Sequence, residues 1–196
     1  MGSMLDMVGS ALIFGVLLLA VGRMQGNVNS TMSQNTFNLN TQTEAVFLAR
    51  LIEYDLTKAG YRVTGPKILI ADSTRIAFRG ALTYGGVVDS VAYYPGDEDT
   101  TTTNPRDFRL LRSTASRGAL SQRLGMIYFR ISYYDSLNTL MPTPVTGANR
   151  YAIRAIHIKF RVESHEPVTD AVTGEAGYFA VSWEKLIYPR NLGKPL

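Results

Sequence analysis

Residues 44–62 read EAVFLARLIEYDLTKAGYR, and the spacing of their apolar side chains decides the fold. Ala45, Leu48, Ile52, Leu56 and Ala59 recur at helical intervals on one face, joined by Leu51, so the stretch predicts an amphipathic helix with one side to bury. Gly60 stands where such a helix ends, and Pro66, the first proline of the chain, prevents its resumption. Just upstream, Thr41-Gln42-Thr43-Glu44 has the capping-box pattern and predicts a helix start or restart.

Moving towards the N-terminus, residues 24–43 carry no charge and no proline and are rich in Asn, Ser, Thr and Gln. A solvated linker usually carries Lys, Glu or Pro. Met24, Val28, Met32, Leu39 and Val46 keep to one helical stripe, while the Asn, Thr and Gly26 content disfavours a helix interior. Residues 24–43 are therefore read as a helix continuation or a locally melted segment. Before them, Gly2 to Gly22 hold a single charge, Asp6, and the apolar run closes at Arg23. As a helix this run matches the roughly 30 Å hydrocarbon core of a bilayer. No Lys or Arg precedes it, unlike a cleaved secretory signal, so the segment is expected to persist. An ionised Asp in hydrocarbon is costly unless paired, so Asp6 calls for a partner amine or a place at headgroup level.

Downstream of Pro66 the period changes from 3.6 to 2. KILIAD, RIAFRG, DSVAYYP, FRLLRS, MIYFRISYYD, YAIRAIHIKFRVES and YFAVSWEKLIYP are strand-like stretches separated by Gly, Pro, Asn and Asp. From Ile156 onward, Ile156, Ile158, Phe160 and Val162 form an apolar face, opposite His157, Lys159 and Arg161. One-sided strands of this kind suit an antiparallel sheet covered by a helix. The expected fold is α+β: a long N-terminal helix packed by its C-terminal half on an antiparallel β domain. The expected divisions are an apolar helix over 1–23, the uncharged stretch 24–43, the amphipathic helix 44–60 and the β domain 61–196.

The chain has 196 residues, no cysteine and a net charge of +4, which excludes disulfides and thiolate metal sites and permits anionic partners without requiring them. His157 and His165 lack the spacing of a zinc or catalytic pair and read as surface histidines. Gly85-Gly86 and Gly174 to Gly177 read as turns. Residues 95–107, PGDEDTTTTNPRD, gather Asp97, Glu98, Asp99 and Asp107. Asp97 and Asp99 are calcium candidates by donor type, but the spacing matches no fixed calcium motif, and a solvated loop is the favoured reading. Arg-aromatic interleaving in YFRISYY is what nucleic-acid platforms show, and also what half-buried strands show, so nucleic acid is not the expected partner. No catalytic constellation is visible, and neither enzyme activity nor a cofactor is expected.

The order of parts resembles the type IV pilin-like superfamily, and within it the W-type minor pilins and J-type minor pseudopilins of type II secretion. The resemblance rests on Leu48-Ala49-Arg50 followed by Asp55-Leu56 and Ala59-Gly60, on Tyr133-Tyr134-Asp135, and on the closing Arg190-Asn191-Leu192. It covers nearly the full length. It implies a filament subunit, minor or main, that resides in the inner membrane and then enters a periplasmic or extracellular filament of like subunits. Subunit assembly would use Gly2, Asp6, Leu12, Phe14, Leu17 and Leu18, and Leu48, Leu51, Ile52 and Leu56 would pack helix on sheet. A prepilin peptidase is an implied partner. With Gly2 as the first mature residue, Asp6 falls at the fifth position, where the family's acid pairs with the amine of an adjacent subunit. Asp stands here where Glu is usual. The competing reading is a bitopic membrane protein whose β domain binds or senses without polymerising. Behind it stand a secreted carbohydrate- or DNA-binding module and a periplasmic enzyme.

Overall fold

The computed structural model describes residues 2–83, 85–169 and 175–193. One helix, α1 (Gly2–Thr57), runs without interruption through everything that precedes the β domain. Its 56 residues extend for about 84 Å at 1.5 Å per residue. Of the two readings of residues 24–43, continuation is the one observed.

The restart predicted at Thr41 does not occur. Thr41 Oγ1 donates to Phe37 O at 2.9 Å, one turn back in the same helix, and so caps nothing. Thr31, Thr36 and Thr43 donate to Asn27 O, Met32 O and Leu39 O in the same way. Hydroxyls that compete with helix formation in an isolated peptide are thus absorbed by the helix's own carbonyls. The predicted helix 44–60 is the last part of α1 and stops at Thr57. Gly60 makes the reversal beyond it, with φ +78° and its N–H donating to Arg79 O at 2.8 Å.

The β domain contains β1 (Ile68–Ala71), β2 (Ile76–Gly80), β3 (Asp89–Glu98), β4 (Phe108–Thr114), β5 (Gly118–Tyr134), β6 (Leu140–Met141), β7 (Ala155–Glu163), β8 (Val168–Thr169), β9 (Ala176–Gly177) and β10 (Ala180–Ile187). The main sheet has the order β1-β2-β3-β4-β5-β7-β10, with β6 paired to the end of β5, and every pairing is antiparallel. All seven strand-like stretches contribute to it, with shifted ends. β5 begins at Gly118, well before Met126, whereas Tyr151 and Ala152 belong to a 3₁₀ turn, so β7 starts only at Ala155. β8 and β9 form a separate two-stranded ribbon; Gly177 belongs to it, and Gly174 lies outside the described residues.

The apolar face read on β7 is the inner face. Ile156, Ile158, Phe160 and Val162 are buried, whereas Lys159 and Arg161 are exposed. α1 lies over β5, β7 and β10. Leu48, Ile52 and Leu56 reach zero exposure there, each burial stabilising the fold by about 1.5–3 kcal/mol. Leu51, on the flank of that face, is half-buried. The α+β architecture expected from the sequence is therefore present: a long N-terminal helix and a large antiparallel sheet.

Candidate functional site

Among the described residues, α1 meets the rest of its own chain only from Gln34 onward. Among the described side chains from Met4 to Val21 the large apolar ones stand open, including Leu12 at 66%, Phe14 at 64% and Leu17 and Leu18 at 57% exposure. This surface is far more extensive than the apolar patches a monomeric protein normally shows to water. Gly2 opens the helix, and Asp6 projects from it with no ion pair among the described residues. One turn later Ser10 Oγ donates to Asp6 O at 2.8 Å. Asp6 and Arg23 frame a charge-free interval, and the helix is long and apolar enough to cross a membrane.

Beyond Arg23 the predicted stripe is also unpartnered. Met24, Val28, Met32, Leu39 and Val46 are all exposed and face away from the domain. The opposite side of the helix approaches the domain instead: Gln34, Phe37 and Asn38 are half-buried, Thr41 is buried, and Gln34 Nε2 donates to Thr169 O.

Where helix and sheet meet, a buried ionic group fixes their relation. Asp55, 1% exposed, accepts from Tyr93 Oη at 2.5 Å and from Arg112 Nε at 2.7 Å, and Arg112 Nε also donates to Tyr93 Oη at 3.2 Å. Burial, then the adjacent Asp55 carboxylate, hold the Tyr93 phenol well above its usual range. Burial alone disfavours the Arg112 charge, but its bond to Asp55 outweighs this and raises it. Asp55 stands among the apolar helix residues that signal packing, but nothing local in the sequence identifies Tyr93 and Arg112, many residues away, as its partners.

The loop read as solvated is mostly exposed, but Asp99, Asn104 and Asp107 turn inward and are buried, Asn104 against the buried Glu163 of β7. Asn104 Nδ2 and Arg106 Nη2 donate to Glu163 Oε2 at 3.0 and 2.7 Å. Thr102 Oγ1 donates to Asp107 Oδ2 at 2.8 Å, and Thr103 N and Oγ1 donate to His165 O at 3.2 and 2.9 Å. The calcium candidates do not converge. Asp97 points into solvent, 3.9 Å from Arg109, while Asp99 turns in to accept from Thr101 Oγ1 at 2.6 Å. Among the described residues no set of three or more His, Asp or Glu side chains is arranged to hold a metal. His157 lies on the outer face of β7, opposite Ser132 and Leu186, and His165 sits half-buried against the loop.

Asp6, Leu12, Phe14, Leu17 and Leu18, of the residues named for assembly, therefore stand exposed on the projecting part of α1, and of those named for packing Leu48, Ile52 and Leu56 are buried at the helix–sheet contact with Leu51 on its flank. Compared with known protein families, curated proteins and solved structures, the chain matches none.

Proposed function

We propose that the protein is a structural subunit, minor or main, of a type IV pilus-like or pseudopilus filament, acting by association and not by chemistry. The observation that carries this reading is the length of helix left uncovered, in which Arg23 is the one charge between Asp6 and Glu44. A single bilayer crossing uses only about 20 residues, but beyond Arg23 a second, uncharged stretch runs to Thr43, and on one side of it Met24, Val28, Met32 and Leu39 are still open. Apolar and uncharged side chains on that second stretch gain from neighbouring helices what water does not give them. Before assembly the segment from Gly2 to Val21 would lie in the inner membrane. In the filament Leu12, Phe14, Leu17 and Leu18 would pack against like helices, and Asp6 would pair with the α-amine of an adjacent copy. That pair removes the cost of two separate charges in an apolar medium. The implied processing step, by a prepilin peptidase, would supply the free amine.

The test uses the absence of cysteine from the chain. Single cysteines at Leu12 and Leu17, introduced into otherwise native protein and oxidised in membranes, should yield cross-linked oligomers, and electron microscopy of purified material should show filaments with the helix at the axis. Discrete particles in detergent with no cross-linking would favour the bitopic, non-polymerising module.

A further inference from the structure

The side chains of residues 2–43 include one acid, Asp6, and one base, Arg23. Both are exposed, and neither forms an ion pair among the described residues. Seventeen positions separate them on the unbroken α1. That is about 25 Å along the axis at 1.5 Å per residue, and the two side chains leave the helix about 100° apart. They cannot meet within one chain.

With the helix across a bilayer, their separation approaches the roughly 30 Å of the hydrocarbon core, so each charge reaches a headgroup layer, Arg23 by extending its stem. A bundle of helices without lipid offers no such layer, and a charge left unpaired among apolar side chains is costly. Few acids in the chain are open to Arg23. The next one along α1, Glu44, is half-buried at the domain. Glu53 holds Lys185, and Asp55 is held by Tyr93 and Arg112. Asp6 is left.

Insertion into one membrane in one direction leaves all copies parallel. Parallel copies at one level set Asp6 beside Asp6 and Arg23 beside Arg23, like against like. A copy advanced by seventeen residues instead brings its Asp6 level with the Arg23 of the copy behind. We propose, building on the filament reading above, that Asp6 of one copy pairs with Arg23 of another displaced by about 25 Å along the axis, and that this contact fixes an axial offset in the filament. Each copy offers Arg23 to the copy ahead and Asp6 to the copy behind, from different faces of α1. A contact of this kind is head-to-tail and displaced along the axis, so it does not close and propagates as an open array. The carboxylate has acceptor positions enough for the α-amine of a different neighbour as well.

Because the chain has no cysteine, the offset can be read by bridging introduced thiols. Ser10 and Asn27, each one turn beyond its charged residue and both exposed, come level across the contact. Two differently tagged full chains, Ser10→Cys and Asn27→Cys, are produced together in membranes and treated with a short bis-maleimide. Links between the two tags should dominate over links within either tag. Arg23→Gln in the Asn27→Cys chain should lower the mixed link at least about tenfold, whereas Arg23→Lys should retain it. Arg23 takes no part in the pairing of Asp6 with an amine, so this loss is specific to the offset contact. Filaments in which same-position links equal or exceed the mixed link, or in which Arg23→Gln leaves it unchanged, would overturn the contact and leave the filament reading standing. Discrete particles without links of either kind would overturn both.

Discussion

Asp55 stands in the apolar face of α1 and is held there by Tyr93 and Arg112. Removing its charge strands Arg112, whose side chain is 17% exposed. Asp55→Asn is therefore expected to cost about 3 kcal/mol, whereas Tyr93→Phe, which leaves the ion pair intact, should cost about 1 kcal/mol, both read from denaturant unfolding. A second residue-scale expectation concerns pH. The folded-state value of Asp107 is raised, by burial first. Its contribution therefore favours the folded state below the unfolded value near 3.9 and is lost as pH rises through the folded value. Relative to Asp107→Asn, the native chain should gain stability as pH falls from about 6 to 4, measured by unfolding at each pH. A gain in the opposite direction would show that Asp107 is not held protonation-prone. Neither Asp55's partners nor the buried state of Asp107 was legible in the sequence. A polar residue's environment depends on what the fold brings to it, and Glu163 reaches Asn104 and Arg106 from a distant strand.

At the scale of elements, periodicity was a good guide wherever burial was one-sided. The face of β7 and the Leu48, Ile52, Leu56 stripe of α1 are where alternation and helical spacing placed them. Signals resting on hydrogen-bonding side chains were less reliable. Thr41 looks like a cap, yet within a helix already propagating from the N-terminal side its hydroxyl has a nearer acceptor in Phe37 O. Low helix propensity over residues 24–43 likewise does not end α1. Gly26 has open space where a side chain would start, so Gly26→Ala should raise the helix content of the isolated chain and stabilise that segment by about 0.5–1 kcal/mol, seen as a higher circular-dichroism signal at 222 nm. Gly125 is the opposite case. It sits in β5 at φ +58°, and a Cβ there would lie 2.1 Å from Glu163 O. Gly125→Ala must move the β5–β7 pairing and is expected to destabilise the domain by more than about 2 kcal/mol in thermal or denaturant unfolding.

For the whole molecule, the buried core begins at Ala45 and ends at Leu192, with no member in the projecting helix. A fragment starting near residue 42 should therefore fold by itself, with a cooperative melt and the tertiary signals of the full chain. In the full chain, Asp6→Ala should leave that melt unchanged and lower filament yield, as counted by microscopy, because the acid acts between copies. Unaltered filament yield would count against the pairing of Asp6 with a neighbouring amine. The division between the two halves was legible early, since charge and hydropathy change sharply at Glu44 and Pro66. The absence of any break in the helix between the halves was not, because continuity depends on backbone bonding that a composition change does not record.

That unbroken spine also determines how the molecule meets tension. A pull applied near Gly2 travels along α1 and arrives at Leu48, Ile52 and Leu56 as a shear between helix and sheet. Shear strains those side chains and the Asp55 group together, whereas a hinge would let them be peeled away in turn. How long the protein withstands a steady force is then governed by how slowly that whole contact lets go, a rate and not an equilibrium.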